Sequence, residues 1–277
     1  MADIVHPDRR RLFGLLLALP LARPGAAAEP RSSGPAKGTL LIVGGGNNSP
    51  AVIAAAWRYA GGADARWVVI PSAQSDNELQ SPRVPDFIRK DGHYTVLHTR
   101  DRLVADSEAF VEPLARATAV WFDGGRQWRL AEAYGETRTE KALWALLDRG
   151  GLIAGSSAGA TIQGSFLVRG SPDGNRIMID PSHVRGFGFL RNVAIDQHIV
   201  ARHRESDLAR VIALHPGLLG IGIDEGTAIL VLGNQFTVIG PSVVAITDGT
   251  LHDGRPYYLL REGMRFDLAT WRVLPPA

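Results

Sequence analysis

Short apolar runs alternate with longer amphipathic segments through the first half of the chain. The short runs are rich in Val, Ile and Leu without strict apolar-polar alternation, which is typical of strands covered on both faces. They are Thr39–Val43, Trp67–Ile70, Thr95–His98, Ala117–Phe122 and Leu152–Ala154. The segments between them carry apolar residues three and four positions apart, which predicts helices. These are Ser49–Tyr59, Val84–Lys90, Ser107–Ala115, Gln127–Tyr134 and Thr137–Asp148.

This alternation predicts an α/β fold with a doubly wound, mostly parallel sheet, whose ligand site lies at the carboxyl ends of the strands. The last third of the chain differs, because its apolar runs are closely spaced and separated by glycines. That pattern indicates extra antiparallel strands at one edge of the sheet. The runs are Val193–Ile195, Leu219–Ile223, Ala228–Leu232, Phe236–Ile239 and Val243–Ile246. We expect residues 38–277 to form a single domain.

The first 28 residues have the pattern of an export signal. Arginines at positions 9–11 precede the apolar run Leu12–Leu21, and a small-residue run ends at Ala28. The adjacent arginines resemble a twin-arginine signal, and the apolar run is shorter than the roughly 20 residues that span a bilayer. We therefore expect an export signal at 1–28, a polar linker at 29–37, a periplasmic or extracellular mature protein, and no stable membrane insertion.

Charge and cysteine content narrow the function further. The leader holds four arginines against two aspartates, a net charge of +2, which equals the net charge of the whole chain. The remainder is therefore neutral, and nucleic-acid binding has no electrostatic support. The chain contains no cysteine, so a nucleophile must be a hydroxyl, an amine or a carboxylate.

A candidate nucleophile follows the apolar run Leu152–Ala154. Ser157 stands in the pattern Gly-Ser-Ser-Ala-Gly over 155–159, where small residues allow a sharp turn from strand into helix. The turn would raise the hydroxyl of Ser157 above the sheet. Packing of a helix against a sheet is the competing explanation for the same small residues.

Two further glycine clusters follow predicted strands. Gly124 and Gly125 could direct backbone N–H groups into the same crevice, where they would form an oxyanion hole together with the N–H of Ala158. The run 44–46 has neither the GxGxxG spacing nor the lysine of a phosphate-binding loop. We expect it to allow a close approach of the backbone to the site.

A serine nucleophile needs a general base, and the base needs a group that fixes its tautomer. His198 follows an apolar strand and should point into the crevice. Asp224 and Glu225 lie between β-branched segments, where an ionised group requires a partner such as an imidazolium. The residues alone leave the choice between these two carboxylates open.

Four motifs together resemble the cyanophycinases and the related aspartyl dipeptidases. They are Gly124-Gly125-x-Gln127, Gly155-x-Ser157-Ala158-Gly159-Ala160, Asp196-Gln197-His198 with Arg202 and Arg204, and Gly222-Ile223-Asp224-Glu225-x-Thr227-Ala228. The resemblance extends from about Leu40 to Ile239, with the motifs in the family's order. It implies a serine peptidase on a flavodoxin-like sheet like that of class I glutamine amidotransferases.

The resemblance also implies roles for individual residues. Ser157 would be the nucleophile, His198 the base and Glu225 its orienter. Gln127, Asp196, Arg202 and Arg204 would lie on the substrate side, and arginines can grip the free carboxylate of an aspartyl or β-aspartyl peptide. No metal or organic cofactor is implied, and a homodimer is compatible with the sequence. The chain departs from the family at Asp207, where a third basic residue is usual, and at Arg126, where an acid is frequent.

Two rival hypotheses remain from the sequence. An α/β-hydrolase esterase would order its residues serine, acid, histidine, and Asp224 and His252 could fill those places, although an HGGG-type oxyanion loop is absent. A binding protein that has lost turnover could keep the same sheet. A metal enzyme has little support, because the chain has no HExxH motif.

Overall fold

The computed structural model describes residues 1–2 and 31–276. The predicted export signal from residue 3 onward and the first two residues of the predicted linker lie outside the described residues. Residues 31–33 pack on the domain, where the Ser33 backbone pairs with Arg191 and Trp271 Nε1 donates to Ser32 Oγ at 3.0 Å. None of the helices among the described residues has the length and apolar content needed to cross a bilayer.

Fourteen strands and eight α-helices make up the described part of the chain. The strands are β1 (Thr39–Val43), β2 (Trp67–Ile70), β3 (Tyr94–Val96), β4 (Ala119–Phe122), β5 (Leu152–Ser156), β6 (Gly164–Phe166), β7 (Leu190–Gln197), β8 (Leu219–Ile223), β9 (Ala228–Leu232), β10 (Gln235–Ile239), β11 (Val243–Thr247), β12 (Tyr258–Arg261), β13 (Arg265–Asp267) and β14 (Arg272–Leu274). The helices are α1 (Pro50–Ala60), α2 (Asp86–Asp91), α3 (Arg102–Ala105), α4 (Glu108–Arg116), α5 (Gln127–Tyr134), α6 (Arg138–Asp148), α7 (Ala158–Thr161) and α8 (Leu208–Leu214). All five strands and five helices predicted for the first half are present, most within two residues of the predicted bounds.

The strands form two sheets. The larger has nine strands in the order β14-β13-β10-β9-β1-β5-β4-β2-β3, and its strands β1 to β5 are parallel to their neighbours in that group. β9, β10, β13 and β14 extend one edge in antiparallel register. The predicted α/β class and the antiparallel addition at one edge are thus both present.

The second sheet corrects part of the prediction for the last third. Its five strands have the order β12-β11-β8-β7-β6, so three of the runs expected at the edge of the first sheet belong here instead. β7 and β8 are also parallel rather than antiparallel. The physical reason is α8, which lies between them, because parallel neighbours need a crossover connection, usually through a helix.

Both faces of the larger sheet are covered. Side chains alternate along β1, so Leu40 and Ile42 pack into one hydrophobic cluster with α4, α5 and α6, while Leu41 and Val43 pack into another with α1 and α2. The first cluster also contains Ile195 of β7 and Ile221 of β8. One continuous core therefore joins the two sheets.

The carboxyl ends of several strands meet where the two sheets adjoin. The backbone after β1 receives three hydrogen bonds: Ser157 N–H donates to Val43 O at 3.0 Å, His198 N–H to Gly44 O at 2.9 Å, and Gly226 N–H to Gly45 O at 2.9 Å. These bonds bring the segments that follow β5, β7 and β8 together at one edge.

Candidate active site

Ser157 occupies a sharp turn between β5 and α7. Its backbone has φ 57° and ψ −111°, a conformation that is strained for a residue with a side chain. A Cβ on Gly155 would lie 2.4 Å from the carbonyl oxygen of Gly159, and a Cβ on Gly159 would lie 2.2 Å from the carbonyl oxygen of Phe122. The glycines of the motif are therefore required by close packing around the turn that presents the hydroxyl.

The hydroxyl of Ser157 contacts a buried histidine. His198 Nε2 lies 2.9 Å from Ser157 Oγ, and His198 Nδ1 lies 2.5 Å from Glu225 Oε1. A carboxylate can only accept, so the tautomer that satisfies both contacts carries its proton on Nδ1 and leaves Nε2 free to accept from Ser157. The structure thus brings together the serine, histidine and glutamate that the sequence predicted as a set.

The surroundings of His198 keep its ring neutral. Burial is the largest effect and lowers the pKa of His198; the positive charges of Arg202 and Arg204 act in the same direction, whereas Glu225 opposes them. The net shift is downward from the ordinary value. A neutral imidazole is the form that can accept a proton from a hydroxyl.

Glycines 44–46 lie against this histidine and its carboxylate. A Cβ on Gly45 would lie 2.1 Å from His198 Cε1, and Gly45 has φ +116°. A Cβ on Gly46 would lie 2.8 Å from Glu225 Oε2. The run therefore provides the close backbone approach expected from the sequence.

Asp224, the other candidate carboxylate, has a different role. Its Oδ1 accepts from the N–H groups of Val200 at 3.0 Å and Ala201 at 3.1 Å, and its Oδ2 accepts from Ser242 Oγ at 2.6 Å. Burial raises the pKa of Asp224, but these hydrogen bonds outweigh it, so that the pKa lies below its ordinary value. Asp224 holds the turn after His198, while Glu225 contacts the ring.

The residues of the esterase hypothesis are not brought together. His252 Nε2 lies 3.0 Å from Asp248 Oδ1 and its ring packs edge-on against Tyr258. The carboxylate of Asp224 accepts hydrogen bonds from the backbone of the turn after β7. Asp224 and His252 therefore do not form, together with Ser157, the set that the esterase hypothesis requires.

Two of the three predicted oxyanion donors adjoin Ser157: Ala158 follows it in the chain, and Gly124 packs beside it. A Cβ on Gly124 would lie 3.4 Å from Ser157 Cβ, which places the Gly124 backbone beside the hydroxyl. Within residues 31–276, the N–H groups of Gly124, Gly125 and Ala158 donate to no backbone or side-chain acceptor. Gly125 has φ +142°, and a Cβ there would lie 2.1 Å from the carbonyl oxygen of Ala73. These N–H groups are available to a ligand oxygen.

Two adjacent cavities lie at this end of the sheets, and the larger one contains the serine. The larger, of about 1060 Å³, is lined by Ser157, His198 and Gln127, among others. The smaller, of about 500 Å³, is lined mainly by arginines and shares Asn175 and Arg202 with the larger one. Arg83 crosses the rim of the larger cavity, where its Nε lies 3.1 Å from Asp123 Oδ2.

Three of the four residues predicted on the substrate side line one or both cavities, and the fourth lines neither. Gln127 lines the larger cavity, although its amide already donates to Val168 O at 2.8 Å. Arg202 lines both cavities, and the buried Arg204 lines the smaller one. Asp196 differs from the prediction, because it is fully buried and lines neither cavity.

Asp196 is instead paired with an arginine that the sequence did not reveal. Arg169 donates from Nε and Nη2 to the two oxygens of Asp196, both at 2.8 Å, and from Nη1 to Asn175 O at 2.8 Å. A carboxylate in an apolar strand signals that a partner exists, but nothing in the sequence identifies which cation it is. Within the described residues, no cluster of three or more histidine, aspartate or glutamate side chains could hold a metal ion.

Comparisons with known proteins converge on one family. The model of peptidase family S51 matches residues 40–239, which include Ser157, His198 and Glu225. The chain is 30% identical over 223 residues to a cyanophycinase of Geminocystis herdmanii, covering 77% of this chain and 81% of the relative. It is 32% identical over 225 residues to a cyanophycinase of Synechococcus elongatus, covering 76% and 68%. A crystal structure of a peptidase from an acI-B1 Actinobacterium superposes with a TM-score of 0.63 at 24% identity, covering 83% of this chain and 97% of that chain, which supports the fold.

Proposed function

Because the chain belongs to peptidase family S51 and is therefore a peptidase, we propose that it hydrolyses peptide bonds by serine catalysis. Ser157 is the nucleophile, His198 the general base and acid, and Glu225 the group that orients the imidazole. The observation that carries this proposal is the pair of contacts at His198, 2.9 Å to Ser157 Oγ and 2.5 Å to Glu225 Oε1. These distances lie within the reach of a nucleophile and its base.

The reaction proceeds through an acyl-enzyme. Ser157 Oγ attacks the carbonyl carbon of the scissile bond while His198 Nε2 takes the hydroxyl proton, and the carbonyl π electrons move to the oxygen. In this proposal the N–H groups of Gly124, Gly125 and Ala158 donate to this oxyanion, and each such donor typically contributes about 3 to 4 kcal/mol to lowering the barrier. The C–N bond then breaks as the imidazolium gives its proton to the leaving amine.

Hydrolysis of the ester restores the enzyme. His198 takes a proton from water, and the hydroxide attacks the acyl carbon. The tetrahedral intermediate collapses with release of the new carboxylic acid, and Ser157 Oγ regains its proton from His198. Glu225 stabilises the imidazolium in both halves of the reaction.

The arginines beside the larger cavity favour a substrate with a free carboxylate. Arg204 is buried, and its guanidinium contacts only Gln197 Oε1, at 3.5 Å, among the described residues. Burial is the largest cause of the lowered pKa of Arg204, followed by the positive charge of Arg169. A buried cation without a carboxylate partner is costly, and a bound anion would remove that cost. We therefore assign aspartyl and β-aspartyl peptides as the substrate class, consistent with the cyanophycinase name of the relatives.

Active-site labelling and peptide hydrolysis test the proposal. The wild-type protein should react with a fluorophosphonate at Ser157 and should cleave β-aspartyl-leucine or α-aspartyl-leucine. Ser157→Ala should abolish labelling and reduce kcat by at least about 10⁴-fold. Ser156→Ala, which removes the neighbouring hydroxyl, should keep the labelling and most of the activity.

Two results would contradict this function. Absence of an adduct at Ser157 in folded wild-type protein would favour a binding protein without turnover. Labelling at Ser157 without cleavage of any aspartyl peptide would retain the nucleophile and remove the assigned substrate class.

A further inference from the structure

The smaller cavity contains a carboxylate of the protein itself. Its lining residues include Arg169, Arg202 and Arg204, and Asp207 lines it with them. Asp207 Oδ2 lies 2.5 Å from Arg169 Nη2, and the Asp207 side chain is 36% exposed. A carboxylate therefore already occupies part of a cavity whose other charges attract carboxylates.

Helix formation does not account for this position of Asp207. Asp207 is the N-cap residue of α8, where an aspartate ordinarily accepts a hydrogen bond from the backbone of the first turn. Here the side chain makes no such bond and turns toward Arg169 instead.

Charge balance at Arg169 does not require the Asp207 carboxylate in this position either. Asp196 already accepts two hydrogen bonds from Arg169, and both side chains of that pair are buried. One carboxylate neutralises one guanidinium, so Asp207 adds a negative charge beyond what the buried pair needs. It contacts Arg169 Nη2, the same nitrogen that donates to Asp196 Oδ2.

We propose that Asp207 fills the position that a second carboxylate of a ligand would occupy. It thereby limits the pocket to substrates with a single carboxylate on the acyl side of the scissile bond. The inference rests on the proposed function, because it concerns the specificity of the same site. Arg202 and Arg204 remain available to one substrate carboxylate, whereas a second one would meet the negative charge of Asp207. Acyl groups with two carboxylates are disfavoured by this arrangement.

Calorimetric titration with succinate and propionate tests the inference without any need for turnover. The two anions share a three-carbon unit, and succinate carries one additional carboxylate. Asp207→Asn keeps the shape of the side chain and removes its negative charge. The ratio of the Kd for succinate to the Kd for propionate should fall by about tenfold in this variant, the value of one charge-assisted hydrogen bond.

Asp173→Asn is the matched control, because it removes the same charge from an exposed residue that lines neither cavity. Its ratio should equal that of the wild type. If Asp207→Asn fails to fold by circular dichroism, Asp207→Ser should give the same fall in the ratio.

The sign of the change separates the possible roles of Asp207. An unchanged ratio, or weaker binding of both anions in Asp207→Asn, would overturn the inference, and the latter would make Asp207 a structural support for Arg169. Failure of the wild type to bind either anion would overturn it as well. Labelling at Ser157 and cleavage of β-aspartyl-leucine are measured on the same samples, so a failure of the proposed function is recognised separately.

Discussion

The imidazole of His198 experiences charges of both signs within a buried site. Burial and the cations of Arg202 and Arg204 favour the neutral ring, and Glu225 favours the protonated one. The result is a pKa below the ordinary histidine value of about 6.5. A base with this pKa stays active in mildly acidic solution.

The pH dependence of kcat/KM should show this shift. Activity requires neutral His198, so it should fall only as the pH drops through the lowered pKa, with an acid limb below about pH 6.5. Arg202→Gln removes a charge that disfavours the imidazolium, so the limb should move to higher pH. Arg176→Gln serves as the control, because Arg176 lines the smaller cavity but not the larger one that contains His198. A limb that shifts equally in both variants would show that the effect is not specific to Arg202.

Gly45 leaves no space for a side chain beside the base. Gly45→Ala would place a Cβ 2.1 Å from His198 Cε1 and would strain a backbone at φ +116°. Displacement of the ring should lower kcat/KM by at least about 100-fold, since small misplacements of catalytic groups have effects of this size. Gly217→Ala, where a Cβ would contact nothing within 4 Å, should leave the rate unchanged. Near-normal kcat/KM in Gly45→Ala would mean that His198 is not held in the observed position during catalysis.

Sequence reasoning reached some of these residues and missed others for physical reasons. Ser157 was identifiable because a strand-to-helix turn lined by glycines leaves a local pattern. The choice of Glu225 over Asp224 came from family resemblance, since adjacent residues in a loop differ only in where the backbone directs them. The partner of Asp196 was hidden, because Arg169 reaches it from a segment 27 residues earlier in the chain.

The turn after β7 determines where His198, the proposed base, and the arginines proposed to bind substrate lie. It begins at His198, whose φ is 55°, and continues into Arg202. Asp224 holds it from the neighbouring strand end by accepting two backbone N–H groups of the turn. The turn has hydrogen bonds of its own, such as that from Arg202 N–H to His198 O at 3.0 Å, and the Asp224 carboxylate ties it to the end of β8.

Removal of the Asp224 carboxylate should therefore affect catalysis without removing a reacting group. Asp224→Ala is expected to lower kcat by about 10 to 100-fold and to raise KM less, because the ring of His198 loses its alignment. Asp248→Ala removes a carboxylate that similarly accepts from the backbone of a turn, at Thr250, and should leave kcat unchanged. Steady-state kinetics of both variants on one dipeptide would test this prediction. Equal losses of kcat in the two variants would argue against the specific role of Asp224.

Prediction succeeded where short apolar runs alternate with long amphipathic helices, and it failed where the helices themselves are short. α7 and α8 span only four and seven residues, and the glycine-rich spacing around them resembles that of hairpins. Without α8, the connection between β7 and β8 could not be recognised as a crossover. The second sheet was consequently assigned to the edge of the first.

The two sheets should unfold as one unit, because residues of both contribute to one hydrophobic cluster. Phe189 lies at this junction, fully buried, with its ring centroid 5.1 Å from that of Trp144 on α6. Phe189→Ala should lower the free energy of unfolding by about 3 to 5 kcal/mol. Urea titrations followed by tryptophan fluorescence and by far-ultraviolet circular dichroism should give coincident transitions.

Phe189→Leu retains most of the side-chain volume and should lose less than half as much stability as Phe189→Ala. Separate transitions for the two probes would instead indicate that the sheets unfold independently.

The proposed nucleophile and its proposed base follow strands of different sheets. This arrangement has a consequence for fragments of the chain. Ser157 follows β5 of the first sheet, whereas His198 and Glu225 follow β7 and β8 of the second. A protease nick in the exposed segment 175–177 would sever these portions while the shared core still held them together. Neither fragment alone contains the proposed serine, histidine and glutamate together, so turnover should require the two fragments to be associated, as in a split enzyme.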